Sequence, residues 1–321
     1  MRPLSRLRIV TSAMAASLAA ATAWVALSPA EGALAEYAAF QPRLVPPRWA
    51  PPDWLPASDD LWALEQMDEA VQARGPRLRS PAAFVFDVDA GAVLMEHNAD
   101  VVQPVASITK LVAALAMVSG EHDLDRTICI GPEHYPTRNG AFSKLSTGDC
   151  IEGWDALGAA LVASDNRGAF ALASAAGLGV DDFVGRMNEV SAELGMDLSS
   201  WTDPSGLEDE NLSTARDIAR ATLAVATEPV LAEVASAPFW DVHYARKPMR
   251  RRFSTNRLAQ RGDVETLAAK TGYTGTAGYC YTTAVRLGSG RRVVVTLLGA
   301  RRSRDRWADV ATVLRWIEAQ G

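Results

Sequence analysis

The chain has 321 residues, 48% of them hydrophobic and 22% charged, with a net charge of −6 at neutral pH. This is an ordinary globular composition, long enough for one large domain or two lobes sharing a site. An acidic chain has no electrostatic reason to bind nucleic acid, which calls for a basic face against the phosphates.

The first segment differs in kind from the rest. Arg2, Arg6 and Arg8 precede an uncharged run from Ile9 to Leu27, and the small-residue stretch Ala33-Leu34-Ala35 follows. This pattern predicts a secretory signal over residues 1–35, cut after Ala35, and an exported, periplasmic protein. The competing reading is an uncut membrane anchor, disfavoured because the run is rich in Ala, Ser and Thr. Contact with a membrane is expected only if the signal stays uncut. Its removal takes away three arginines and Glu31, moving the net charge from −6 to −8. Residues 36–80 then read as a tether and lead-in. Pro42, Pro46, Pro47, Pro51, Pro52 and Pro56 favour an extended spacer. The alternative is a strap held on the domain surface by Trp49 and Trp54.

The folded domain is expected over residues 81–321. Ala83 to Val88, the turn Asp89-Ala90-Gly91 and Ala92 to Met95 predict a β-hairpin. Ile108, Leu111, Val112, Leu115 and Val118 fall at helical spacing, so a buried helix begins near Ser107. Helical patterns dominate a lobe from about residue 120 to 234. They include Trp154 to Ala163, the Phe183, Met187, Val190, Leu194 face, and a helix opened by Thr214-Ala215-Arg216-Asp217 in the manner of a capping box. Strand patterns return at Leu267–Thr274, Gly278–Arg286 and Arg292–Leu298. A last helix from Ser303 aligns Trp307, Val310, Leu314 and Ile317. Strands at both ends with helices between them predict an α+β fold. Its antiparallel sheet would join the two ends of the chain, with the site in the cleft beside the helical lobe. The chain stops soon after the last helix, and no second domain is expected.

Three cysteines allow at most one disulfide. Cys129 and Cys150 flank a loop from Gly131 to Gly148 and are placed to bridge its base, with the pairing left open. Cys280, in a strand pattern, reads as a buried thiol. The four histidines (His97, His122, His134, His243) form no close-spaced ligand pair, and neither a metal nor a cofactor is expected.

Three short stretches carry chemistry. In Pro104-Val105-Ala106-Ser107-Ile108-Thr109-Lys110, Ser107 and Lys110 stand three apart on a helix, so their side chains share a face. A hydroxyl beside an amine is a nucleophile beside its base, provided burial keeps the amine partly neutral. In Ser164-Asp165-Asn166, a second hydroxyl can pass a proton, and an amide can hold a substrate's peptide group. In Lys270-Thr271-Gly272, a lysine and a hydroxyl suit a substrate carboxylate. The glycine admits a close approach, and the Tyr273 amide is a candidate partner for that of Ser107 in an oxyanion hole. Each stretch alone is weak. Ser254-Thr255-Asn256 matches the second pattern equally well, and after Arg250-Arg251-Arg252 it reads as a decoy in a solvated turn.

In this order, the three motifs resemble the set found in class A β-lactamases and penicillin-binding proteins. From about Pro81 to Ile317 the chain is similar to the low-molecular-mass penicillin-binding proteins, the serine D-alanyl-D-alanine peptidases. Asp203-Pro204-Ser205-Gly206-Leu207, Asn211 to Asp217, and Lys270 to Thr274 with Ala277 to Cys280 extend the likeness. Within that group the endopeptidases of the penicillin-binding protein 7 type are most similar, since they lack the further C-terminal domain of the major carboxypeptidases. The resemblance implies a β-lactamase-like fold and roles residue by residue. Ser107 attacks a D-alanine carbonyl in a peptidoglycan stem or cross-bridge and becomes acylated. Lys110 takes its proton, and Ser164 passes one to the leaving amine. Asn166, Lys270, Thr271 and Gly272 bind substrate, and the Ser107 and Tyr273 amides hold the oxyanion. β-Lactams are then covalent inhibitors.

Two alternatives stay open. A class A-like serine β-lactamase shares the Ser-Asp-Asn spelling but deacylates with a glutamate in a Glu-x-x-Leu-Asn context. Between the second and third motifs this chain offers Asp203 before Pro204, and Glu208 and Glu210 before Asn211, but no such pattern; Asp203 reads as a turn residue. A non-catalytic peptidoglycan-binding module would have no use for a base beside Ser107. Endopeptidase and carboxypeptidase action employ the same groups and are not separated by the motifs.

Overall fold

The computed structural model describes Leu64 and residues 66–68, 75–135, 143–262 and 264–320. The expected signal over residues 1–35 and the proline-rich stretch Gln41–Pro56 lie outside them. The expected hairpin forms from β1 (Ala82–Asp87) and β2 (Ala92–His97). After β3 (Gln103–Pro104), a 3₁₀ turn over Ala106–Ile108 leads into α1 (Thr109–Val118). The short strands β4 (Thr127–Cys129) and β5 (Cys150–Glu152) pair with each other, and the Cys129–Cys150 disulfide crosses that pair.

Three helices follow: α2 (Gly153–Leu161), α3 (Asn166–Ala175) and α4 (Val180–Glu193). β6 (Leu212–Ser213) pairs with β3. Thr214 Oγ1 then accepts from the Asp217 amide at 3.1 Å, capping α5 (Ala215–Thr227), and α6 (Pro229–Ser236) continues from it. A second hairpin, β7 (Phe239–Val242) and β8 (Arg250–Phe253), and the short α7 (Arg257–Arg261) lead to β9 (Glu265–Thr274). The chain closes with β10 (Gly278–Arg286), β11 (Arg292–Ala300) and α8 (Ser303–Glu318).

The main sheet has the order β2-β1-β11-β10-β9 and is antiparallel throughout, with Val85 opposite Val295. The two ends of the chain therefore meet at β1 and β11, as the strand patterns predict. Successive side chains of a strand point to opposite faces, and both faces here are covered. Phe84 and Phe86 share a core with Ile108, Leu111 and Ile218, whereas Ala83 and Val85 pack with Val310, Val313 and Ile317 of α8. Cover on both sides is why every residue of β1 is buried.

The element that positions the site is α1. Every residue from Thr109 to Met117 is buried, as expected of a helix surrounded by protein on all sides. Cys280 is a buried thiol, pushed by burial up to about 11. Among the described residues, no helix is long and apolar enough to cross a membrane.

Candidate active site

The approach to Ser107 is strained. Ala106 has φ 51°, a left-handed conformation that a residue with a Cβ adopts at a cost of about 1 kcal/mol or more. Its carbonyl accepts from Thr109 Oγ1 at 2.8 Å and lies against Gly206. A Cβ on Gly206 would fall 2.0 Å from that oxygen, so only glycine fits there. The strain sets Ser107, half-buried, in the middle of the 3₁₀ turn two residues before α1 instead of at the α-helix start itself.

Lys110 lies one turn on and is fully buried. Its Nζ donates to Ser107 Oγ at 2.8 Å, to Asn166 Oδ1 at 2.9 Å and to the Ser205 carbonyl at 2.6 Å. Three donors meet three acceptors, which is the full capacity of an ammonium group. Burial lowers its pKa from 10.5 to about 7, although the charges of Asp203 and Asp165 act in the opposite sense. The neutral amine has two N–H bonds and one lone pair. With Asn166 and Ser205 fixed as acceptors, the two N–H bonds go to them and the lone pair is left facing the Ser107 hydroxyl.

The second motif turns between α2 and α3 and contributes to both halves of the site. Ser164 has φ 57°, a second left-handed residue carrying a side chain. Asp165 caps α3, accepting from the Gly168 amide at 3.1 Å, and also holds the Ser143 hydroxyl and the Lys144 amide, each at 2.5 Å. This clamp aims Asn166 at Lys110 and Ser164 at Lys270. Lys270 Nζ donates to Ser164 Oγ at 2.8 Å and to the Thr271 carbonyl at 3.0 Å. Burial holds Lys270 well below the ordinary lysine value, and the positive charges of Lys110 and Arg306 add to that shift.

The third motif lies on β9, with Lys270 and Thr271 buried. Gly272 runs against the Ser107 turn. A Cβ there would stand 2.7 Å from the Val105 carbonyl and 3.2 Å from the Ile108 amide. The backbone of β9 is thereby brought up to Ser107, with the Tyr273 amide one residue further on. The Tyr273 ring itself is exposed and stacks on Tyr279, centroids 4.2 Å apart.

The structure corrects the reading of Ser254-Thr255-Asn256. Arg250, Arg251 and Phe253 are exposed on β8 and Thr255 is exposed after it, but the two residues flanking Thr255 face inward. Ser254 and Asn256 are buried, and Asn256 caps α7 while accepting from the Tyr281 hydroxyl at 2.9 Å. Thr255 sits between the second and third motifs. Its amide donates to the Val162 carbonyl at 3.0 Å, and its Oγ1 accepts from Thr271 Oγ1 at 2.6 Å. Thr255 is exposed, as a turn residue is expected to be, yet these two hydrogen bonds tie the second and third motifs together through it.

Two further contributors escape sequence reasoning. Asp203 is the turn residue its position before Pro204 predicts, but the turn has a purpose. Its carboxylate accepts from the Ser205 amide and hydroxyl, the Gly206 and Glu208 amides and Asn211 Nδ2. That loop delivers the Ser205 carbonyl to Lys110 and Gly206 to Ala106. Arg306 of α8 is buried, and its Nη1 donates to the Gly272 carbonyl at 3.2 Å and the Cys280 carbonyl at 2.9 Å. Replacing Asp203 with alanine strands several buried donors. The expected loss is about 3 kcal/mol of stability, read from denaturant midpoints, with Lys110 losing its fixed acceptor.

Comparison with known proteins places this geometry. Residues 69–302 match the family described as D-alanyl-D-alanine carboxypeptidase (Peptidase_S11). The chain is 33% identical to a D-alanyl-D-alanine endopeptidase of Pseudomonas aeruginosa over 75% of this chain and 78% of that protein. A D-alanyl-D-alanine endopeptidase of Escherichia coli is 28% identical over 80% of this chain and 83% of its own length. Among solved structures, a D-alanyl-D-alanine carboxypeptidase from Mycobacterium tuberculosis has a TM-score of 0.69 at 27% identity, covering 78% of this chain and 95% of that one.

Proposed function

Because the chain belongs to the D-alanyl-D-alanine carboxypeptidase family of serine hydrolases, we propose that it is an exported, penicillin-binding endopeptidase that opens peptidoglycan cross-bridges through an acyl-enzyme on Ser107. One observation carries the reading: Lys110 Nζ lies 2.8 Å from Ser107 Oγ, on a buried amine whose other two positions are occupied by fixed acceptors. The endopeptidase preference rests on the relatives from Pseudomonas aeruginosa and Escherichia coli that bear that name and that the chain matches over most of their length.

The chemistry follows from the placement of the groups. Neutral Lys110 takes the Ser107 proton as Oγ attacks the D-alanine carbonyl. The resulting oxyanion is held by the Ser107 and Tyr273 amides. The C–N bond then breaks, and the proton held by Lys110 passes to the leaving amine by way of Ser164, whose hydroxyl Lys270 orients, so that Lys110 is neutral again. Asn166 and Thr271 anchor the peptide on either side. Water attacks the ester with Lys110 again as base, which frees the acyl group and restores Ser107.

This places the pH dependence on Lys110. A base must be neutral to act, and Lys110 loses its proton near pH 7. The second-order rate of penicillin acylation is therefore expected to rise about tenfold per pH unit below about 7 and to level off above it. A rate flat from pH 5 to 8 would remove Lys110 from the base role.

Asp203, the acid before Pro204, is engaged with donors of its own loop, which supports slow release of a β-lactam acyl group. Rapid nitrocefin hydrolysis by the purified protein would favour the β-lactamase reading instead. The test of the endopeptidase assignment is digestion of purified muropeptides followed by mass measurement. Conversion of dimers to monomers is expected. Loss of a single alanine from pentapeptides, with dimers left intact, would make the protein a carboxypeptidase.

A further inference from the structure

Between the loop that Asp165 clamps and the β7–β8 hairpin lies a cavity of about 240 Å³. Its walls carry Lys144, Lys247, Arg250 and Arg252, with Tyr244 and Asp149 among them. Four cations thus face one carboxylate, on a chain whose net charge is −6. Asp149 is paired with Lys247, and Arg252 Nη2 donates to the Tyr244 hydroxyl at 3.0 Å. Lys144 and Arg250 are exposed and have no ion-pair partner among the described residues. Cations gathered in a concave wall repel one another, and an anion seated there relieves that repulsion.

The position of the cavity matters as much as its charge. One wall leads to the second motif, because the Lys144 amide donates to Asp165, the residue between Ser164 and Asn166. The other wall leads to the third, because Arg252 lies three residues before Thr255, whose hydroxyl accepts from Thr271. The cavity is thus tied through the chain to both the second and the third motifs, beside the residues that the peptidase reading assigns to the substrate.

We propose that this cavity is a subsite for a free carboxylate of the peptide substrate, outside the bond that is cut, so that the protein selects acidic peptides over neutral D-alanyl peptides. The inference rests on the peptidase reading of Ser107 and adds to it the recognition of charge away from the reacting bond. Lys144 and Arg250 supply charge-assisted hydrogen bonds to the carboxylate. Lys247 and Arg252, tied to Asp149 and Tyr244, hold the walls in place.

The test compares two substrates with the full-length protein: a muropeptide dimer with free side carboxylates, and the same dimer with those carboxylates amidated. The unaltered protein is expected to favour the acidic dimer by about tenfold in kcat/KM. In the Lys144→Gln, Arg250→Gln double variant that preference should collapse towards unity. Both side chains are exposed, so the variant retains its core, and penicillin labelling of each preparation reports on Ser107 separately. A protein that labels with penicillin yet cleaves both dimers equally, or a double variant that keeps the full preference, overturns the subsite alone. A protein that neither labels nor cleaves overturns the peptidase reading, and the subsite falls with it.

Discussion

Replacing Ser107 with alanine is expected to abolish covalent capture of penicillin and to slow peptide hydrolysis by about 10⁴-fold or more. The loss should be chemical and not structural. Ser107 is half-buried, and the hydrogen bond its hydroxyl makes is the one from Lys110. Removing that oxygen leaves Ala106, Thr109 and Gly206 in their packing, so the thermal midpoint should move by no more than a few degrees. Sedimentation with cell-wall sacculi adds the discriminating readout. A binding module would be carried down by sacculi with or without the hydroxyl and would never label with penicillin. An enzyme labels, turns over, and loses both in the variant while still binding its polymer. Labelling that survives in Ser107→Ala would move the nucleophile elsewhere.

The parts of the site that were legible in the sequence are those set by local spacing. A three-residue step on a helix fixes the Ser107–Lys110 contact wherever the helix goes, and alternation along β9 fixes which residues of Lys270-Thr271-Gly272 share a face. What stayed hidden depends on partners far away in the chain. The Ser205 carbonyl is a backbone acceptor, so no side chain announces it, and Asp203 looks like any acid before a proline. Neither Ala106 nor Ser164 belongs to the residue types that advertise a left-handed backbone. Thr255 is exposed as a turn residue should be, and its ties to Val162 and Thr271 come from the approach of α2 and β9, which no local pattern shows. Lys270 shows the same limit: a lysine in a strand pattern usually reaches solvent, and only the approach of the helical lobe buries it.

Burial of Lys110 also ties activity to stability, and substitutions there separate the two. In the folded protein its pKa is about 7, below the 10.5 of an exposed lysine, so between those values the unfolded chain holds more protons than the folded one. Folding stability therefore rises with pH across that window, and below about pH 7 the cost of burying the amine is felt in full. Lys110→Met removes the amine, so its stability curve is expected to lack this contribution, a slope of about 1 kcal/mol per pH unit between 7 and 10. Stranding the Asn166 and Ser205 oxygens offsets part of the gain at neutral pH. Lys110→Arg does the opposite: it keeps a cation but never a neutral base, since a guanidinium does not lose its proton in this range. Both variants should acylate with penicillin about 10³-fold or more slowly, and neither should show the rise towards pH 7. If the arginine variant kept both the rate and the rise, the proton from Ser107 would have to pass to Ser164 and Lys270, and the second lysine, not the first, would be the base.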